Sequence, residues 1–146
     1  MTTVVLTRPE ADSERLSRTL RAQGVDSLVI PIMSIAGIAV PEQPAVAAVS
    51  DKTLFIFISA NAVRFGLPRL RAELDGHRSA TTIAVGSKTR DALQAEGFNA
   101  LMPARSDSEG LLAMPELSDA LLPDVVIVKG EGGRELLGEE LKRRGA

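Results

Sequence analysis

A chain of 146 residues can hold one good hydrophobic core or pieces of two small domains, and 45% hydrophobic with 25% charged residues describes an ordinary globular protein. A formal net charge of -2 and a sequence pI near 5.5 supply no basic field for nucleic acid or an anionic membrane, so any polyanionic ligand must be held by local groups. Cysteine is absent and His77 is the single histidine, which excludes a disulfide framework and a thiolate metal site, while aromatic residues, all phenylalanine, reach only 3%, too few for stacking platforms.

The N-terminus enters a strand pattern directly, without a basic segment before an apolar core, and no window is apolar for eighteen residues. Neither a signal peptide nor a membrane span is expected, and the expected location is the cytoplasm. Val4, Val5 and Leu6 form the first strand, and Pro9 limits its extent. Asp12 or Ser13 is expected to cap a helix with Leu16 and Leu20 on one face, stopped at Gly24. Val25 to Ile32 reads as the second strand. Pro41 and Pro44 then bracket a segment that cannot continue a helix, so a domain boundary falls near residues 36–44.

Ala45 to Val49 reads as a short helix before the third strand, Leu54 to Ile58. Ser59 or Asn61 caps the next helix, which Gly66 and Pro68 should interrupt or kink and Asp75-Gly76 should close. Thr82 to Val85 is the fourth strand, followed through Gly86-Ser87 by a helix from Lys88 to Glu96 that stops at Gly97. Ala100 to Met102 suggests a short fifth strand. Ser108 is expected to cap GLLAM, and Pro115 starts another turn. Finally Val125 to Val128 forms a strand covered on both faces, leading through Gly130, Gly132 and Gly133 into a helix with Leu136, Leu137 and Leu141 on one face and Gly145 as its stop.

Strand, polar turn and helix thus recur at Val4–Gly24, Leu54–Gly66, Thr82–Gly97 and Val125–Gly145. The alternation predicts a parallel α/β sheet, whose ligands bind beyond the carboxyl ends of the strands. At those ends stand Thr7-Arg8, Ser59-Ala60-Asn61, Gly86-Ser87-Lys88-Thr89 and Ser108-Glu109-Gly110. Free backbone N–H groups where helices begin can bind carboxylate or phosphate there, although the same residues also serve simply as helix caps. GEGGRE lacks the third small residue of a dinucleotide fingerprint, and no phosphate loop, GxSxG elbow or HExxH occurs. His77, next to Asp75-Gly76, reads as a solvated loop residue.

Five short motifs, in order and across nearly the whole chain, carry a family resemblance: TRP at Thr7, SANAV at Ser59, AVGSKT at Ala84, SEGLL at Ser108 and GEGGRELL at Gly130. Together they resemble uroporphyrinogen-III synthase. The resemblance implies two small α/β domains of parallel-sheet, flavodoxin-like or Rossmann-like type, joined by extended connectors. Residues 1–36 would be the first half of a discontinuous domain, incomplete here, 37–44 a connector, and 45–146 a second domain lacking its last strand. The implied reaction closes linear hydroxymethylbilane to uroporphyrinogen III, with loss of water and inversion of ring D, in tetrapyrrole biosynthesis. It uses no cofactor or metal. The implied partners are this polycarboxylate substrate and hydroxymethylbilane synthase, with no nucleic acid and no membrane.

Substrate binding would then fall to Arg8, Ser59, Asn61, Gly86, Ser87, Lys88, Thr89, Ser108 and Lys129, with hydroxyl and backbone donors and local cations offsetting a mildly acidic chain. No catalytic acid or base stands out among them. Ile58 replaces the family's usual threonine, Lys129 its common arginine, and no tyrosine is present to match the one expected on a strand after Ala146. The chain is therefore expected to be a fragment, inactive alone, with an exposed sheet edge prone to association. A non-catalytic anion- or tetrapyrrole-binding module is the alternative reading, and a flavodoxin-like nucleotide-binding domain a more remote one.

Overall fold

The computed structural model describes residues 3–39, 49–118, 124–132 and 135–146. The chain divides into two compact units, Met1–Ile38 and Ala39–Ala146. The first contains a two-stranded parallel sheet with one helix and the second a three-stranded parallel sheet with several, the α/β class that the sequence predicts.

In the first unit, β1 (Val4–Leu6) pairs in parallel with β2 (Ser27–Val29) across α1 (Glu10–Ala22). α1 starts earlier than expected. Pro9 occupies the cap position, and its carbonyl accepts from Asp12 and Ser13 N–H, both at 3.0 Å, so the pre-set proline backbone begins the helix without a side-chain cap. Ser13 is buried and donates instead to the Arg8 carbonyl at 2.8 Å. Ser27 Oγ bonds Ser17 Oγ at 2.8 Å, tying β2 to the helix. Gly24, at φ +74°, lets Val25 N–H return to the Leu20 carbonyl and ends the helix where the sequence places its stop.

β2 is shorter than the Val25 to Ile32 run because β1 offers only three residues and Pro31 has no N–H to pair. Leu6 is buried, whereas the register partners Val5 and Leu28 are 53% and 52% exposed. Ile30, two residues beyond Leu28, is exposed as well. One face of this sheet is apolar and bare among the described residues.

In the second unit, β3 (Leu54–Phe57) lies between β4 (Thr81–Ala84) and β5 (Val125–Val128), all parallel. All four β3 side chains are buried, and their alternation sends them into two cores. Phe55 and Phe57 pack with residues of α2 (Ala60–Gly76) and α3 (Ser87–Ala95), including Val63, Leu67 and Leu93. Leu54 and Ile56 pack with α4 (Ser108–Leu112), the 3-10 turn Pro115–Leu117 and α5 (Leu136–Arg143), through Leu111, Leu117, Leu137 and Leu141. Burial on both faces explains the unbroken apolar runs.

α2 passes through Pro68 as one helix, so the expected interruption does not occur. Pro68 is exposed, and the flanking Val63, Leu67 and Leu74 are buried in one core, enough to offset the roughly 3 kcal/mol cost of an internal proline. β4 and α3 each begin one residue before their expected starts. The expected strand Ala100 to Met102 reduces to a single bridge, Leu101 to Ile83, because Pro103 cannot donate to a continued ladder. Pro115 opens a turn as expected, and β5 and α5 fall where the sequence puts them. Of the helix expected over Ala45 to Val49, residues 45–48 lie outside the described residues.

Candidate functional site

Parallel pairing puts the carboxyl ends of β3, β4 and β5 on one edge of the second sheet. Ser59 follows β3 as the cap of α2, in extended conformation, and its hydroxyl accepts from Ala62 N–H at 3.0 Å. Asn61, half-buried, stands in the first turn. Gly86 caps α3 after β4, its carbonyl accepting from Thr89 and Arg90 N–H. Ser87 and Lys88 are exposed at the helix start, whereas Thr89 is buried at 5% exposure and does not present its hydroxyl to solvent. The N–H groups of Ala60, Asn61, Ser87 and Lys88 stand too early in α2 and α3 for an intrahelical carbonyl, whereas those of Ala62 and Thr89 are taken by Ser59 and Gly86. Arg8 belongs to the first unit, at the end of β1, exposed and 3.6 Å from Asp12. Replacing Ser59 by Ala is expected to cost about 1 kcal/mol of stability, measurable by urea unfolding.

Ser108 is not the cap of α4. Asp107 takes that place, accepting from Gly110 N–H at 2.7 Å, and Ser108 becomes the first helical residue. That backbone N–H, assisted by the Arg105 guanidinium 2.8 Å away, holds the Asp107 carboxyl below its ordinary range. A carboxylate outranks a hydroxyl as acceptor for a helix start because it also meets the positive end of the peptide dipoles.

Between α4, α5 and the edge lies a cleft of about 380 Å³. Ile58, Val85, Leu111, Ile127 and Leu137 form its apolar part. Ser108 and Lys129 line it, so the structure joins these two predicted residues in one cavity; Ser59, Asn61 and residues 86–89 lie along the edge outside its lining. Lys142, Glu135 and Glu139 also line it and were not among the predicted residues. Glu139 and Lys142 fall outside the face of α5 that carries Leu136, Leu137 and Leu141, and their spacing of three is the signal that they share a side. Gly133 and Arg134 of the glycine-rich motif lie outside the described residues. Among the described residues no group of three His, Asp or Glu could hold a metal ion.

One guanidinium fixes the two walls. Arg144 Nη1 donates to the carbonyls of Leu112, at the end of α4, and Leu117, in the following turn, at 2.8 and 3.1 Å, while its Nε donates to Glu140 of α5 at 2.9 Å. Arg144→Met is expected to strip both carbonyls of that partner and destabilise the second unit by about 2 kcal/mol in urea unfolding. Hydrogen bonds from Arg143 and then Arg144 lower the Glu140 carboxyl from 4.5 to about 2. The folded carboxylate thus binds a proton less readily than the unfolded one, so its contribution is complete above pH 4.5 and is lost as pH falls through about 2. Unfolding of Glu140→Gln, followed against pH, should lie below the parent at pH 6 and converge with it toward pH 2.

A family model described as uroporphyrinogen-III synthase HemD matches residues 14–146. The chain belongs to the uroporphyrinogen-III synthase family. It is 35% identical over 150 residues to the uroporphyrinogen-III synthase of Salmonella typhimurium LT2, covering 98% of this chain and 60% of that protein. To the uroporphyrinogen-III synthase of Escherichia coli K12 it is 32% identical, with 98% and 60% covered. The chain therefore spans about 60% of the length of these curated relatives. Among solved structures, a mutant uroporphyrinogen III synthase from Thermus thermophilus superimposes with a TM-score of 0.68 at 22% identity, covering 99% of this chain and 58% of that one. The wild-type Thermus structure gives 0.56 at 24%. At these identities the likeness is one of fold.

Proposed function

We propose that this chain forms part of a uroporphyrinogen-III synthase, a cyclising hydro-lyase that closes hydroxymethylbilane with loss of water and inversion of ring D. The observation that carries the reading is the family match over residues 14–146. The edge of the second sheet supports it: helix starts and Lys88 and Lys129 supply local positive potential on a chain of net charge -2, as a polycarboxylate requires. Rate enhancement would come chiefly from holding the two ends of a linear tetrapyrrole together, since proximity can be worth about 7 to 11 kcal/mol. Arg8, Ser59, Asn61, Gly86, Ser87, Lys88, Thr89, Ser108 and Lys129 are the proposed binding set; Thr89, being buried, would act by shaping the turn rather than by its hydroxyl.

We also infer that residues 1–36 are half of a discontinuous domain, with 37–44 as connector and 45–146 as the second domain. The bare apolar face of Val5, Leu28 and Ile30 supports this, because an uncovered sheet face is costly in water. The proposed place of work is the cytoplasm, with hydroxymethylbilane synthase supplying the substrate; no helix among the described residues is long and apolar enough to cross a membrane.

The test is to supply this chain with the remaining length of its relatives and follow the bilane by separation of the ring-D-inverted product. Formation of that product is expected. A folded, complete protein that binds the bilane and releases no cyclised product would favour the non-catalytic tetrapyrrole-binding reading instead.

A further inference from the structure

We propose that the cleft between α4 and α5 seats a single pyrrole ring, its face on the apolar floor, its carboxylate side chains on Lys129 and Lys142, and its N–H on Glu135 or Glu139. The proposal rests on the synthase reading and adds to it the part of the substrate that this cleft takes.

Size excludes the whole four-ring molecule. At about 380 Å³ the cleft lies at the small end of ligand sites, which run from about 300 to 1,000 Å³, and cannot enclose a four-ring molecule. Its floor of Ile58, Val85, Ile127 and Leu137 offers a flat ring apolar contact without an aromatic partner. The charged groups at the rim are the unusual feature. The neighbouring Arg105, Arg143 and Arg144 all spend their charge on carboxylates of their own helices or turns. Lys129 and Lys142 form no ion pair among the described residues, although three carboxylates line the same cleft.

Those carboxylates differ from one another. Asp107 is already occupied by Gly110 N–H and Arg105. Glu135 and Glu139 form no ion pair among the described residues, which leaves them as acceptors. A simple polyanion such as phosphate would meet two lysines and also two carboxylates that have no ion pair among the described residues, and gain little. A pyrrole bearing carboxylate side chains answers both signs, because the ring N–H is a donor and the side chains are acceptors. Mixed charge around an apolar floor therefore discriminates for such a ring and against bare anions.

The experiment is a nuclear magnetic resonance titration of the isotopically labelled chain with a monopyrrole carrying one acetate and one propionate. Its N-methyl counterpart and inorganic phosphate serve as comparison probes. Amide shifts are expected to cluster at Lys129 and at Leu137, Gly138 and Glu139. Lys129→Met and Lys142→Met, both exposed and free to be replaced without disturbing the core, should each weaken binding roughly fivefold. The N-methyl compound should bind more weakly than the parent ring. No shift at millimolar monopyrrole, shifts away from the cleft, affinity unmoved by either lysine change, or phosphate binding as well as the ring would each overturn the proposal. Equal binding of the N-methyl compound would overturn the N–H contact. If the complete protein cyclises bilane while the monopyrrole fails here, this inference alone falls; if the ring binds and no product forms, the enzymatic reading falls instead.

Discussion

Gly110→Ala is expected to destabilise the second unit by about 3 kcal/mol, the high end of the cost of forcing extra volume into a packed site. A Cβ at this position would overlap the carbonyl carbon and oxygen of Arg105, and it is backbone, not a pliable side-chain end, that it would strike. The segment cannot swing aside, because Asp107 accepts from Gly110 N–H and Arg105 pairs with both Asp107 and Glu109. Leu111, the next residue, is 1% exposed in the core shared with α5. Displacing α4 thus opens both that core and one wall of the cleft. Gly138→Ala is the matched control. Its added methyl would meet only Ile127 Cδ1 at 3.9 Å, an ordinary contact, and a glycine inside a helix gains up to about 1 kcal/mol on becoming alanine. Urea unfolding of the two variants should move in opposite directions; equal losses would refute the steric account.

Phe57→Ala is expected to cost about 3 to 5 kcal/mol through lost burial and the cavity left behind. Phe57 is fully buried at the end of the central strand, in the core formed with α2 and α3. Its strand has a partner on each side, so the backbone cannot collapse inward to fill the space. Phe57→Leu should recover much of the loss by keeping an apolar side chain in the site. Calorimetry would show a large drop in the melting temperature for alanine and a smaller one for leucine. A loss below about 1 kcal/mol for alanine would mean that α2 closes over the site, contrary to the rigid packing expected of such a core.

Why some of this was readable in the sequence is clear at β5. Four consecutive β-branched residues between Asp124 and Lys129-Gly130 read as a strand, and Val125–Val128 is one, although at the edge of its sheet its side chains are only half-buried against the two cores. The stops were equally plain, since Gly24, Gly97 and Gly145 all adopt the left-handed backbone that ends a helix. Propensity alone misled where tertiary contacts decide. Pro68 is tolerated because buried neighbours hold its helix, and the run through Ile32 shortens because its partner strand is short. The caps of α1 and α4 were misassigned by one to four residues, as several capping residues stand in a row and only geometry selects among them. Short motifs identified the family and located the edge. They could not reveal Lys142 and Glu139 in the cleft, because that depends on the rotation of α5 against the sheet, which no local pattern encodes.

The central strand is also the earliest of its sheet to be synthesised. Leu54 pairs with Thr81, 27 residues later, and with Val125, 71 residues later. The second closure costs only about 0.9 kcal/mol more in loop entropy, so delay rather than thermodynamics separates the two pairings. On a ribosome making about 5 to 20 residues per second, Phe55 and Phe57 can meet α2 and α3 while Leu54, Ile56 and Ile83 still lack α5 and its leucines. For a matter of seconds the nascent chain carries a half-finished sheet with one greasy side. It is in that interval, before Leu137 and Leu141 arrive, that a chaperone would find its best grip.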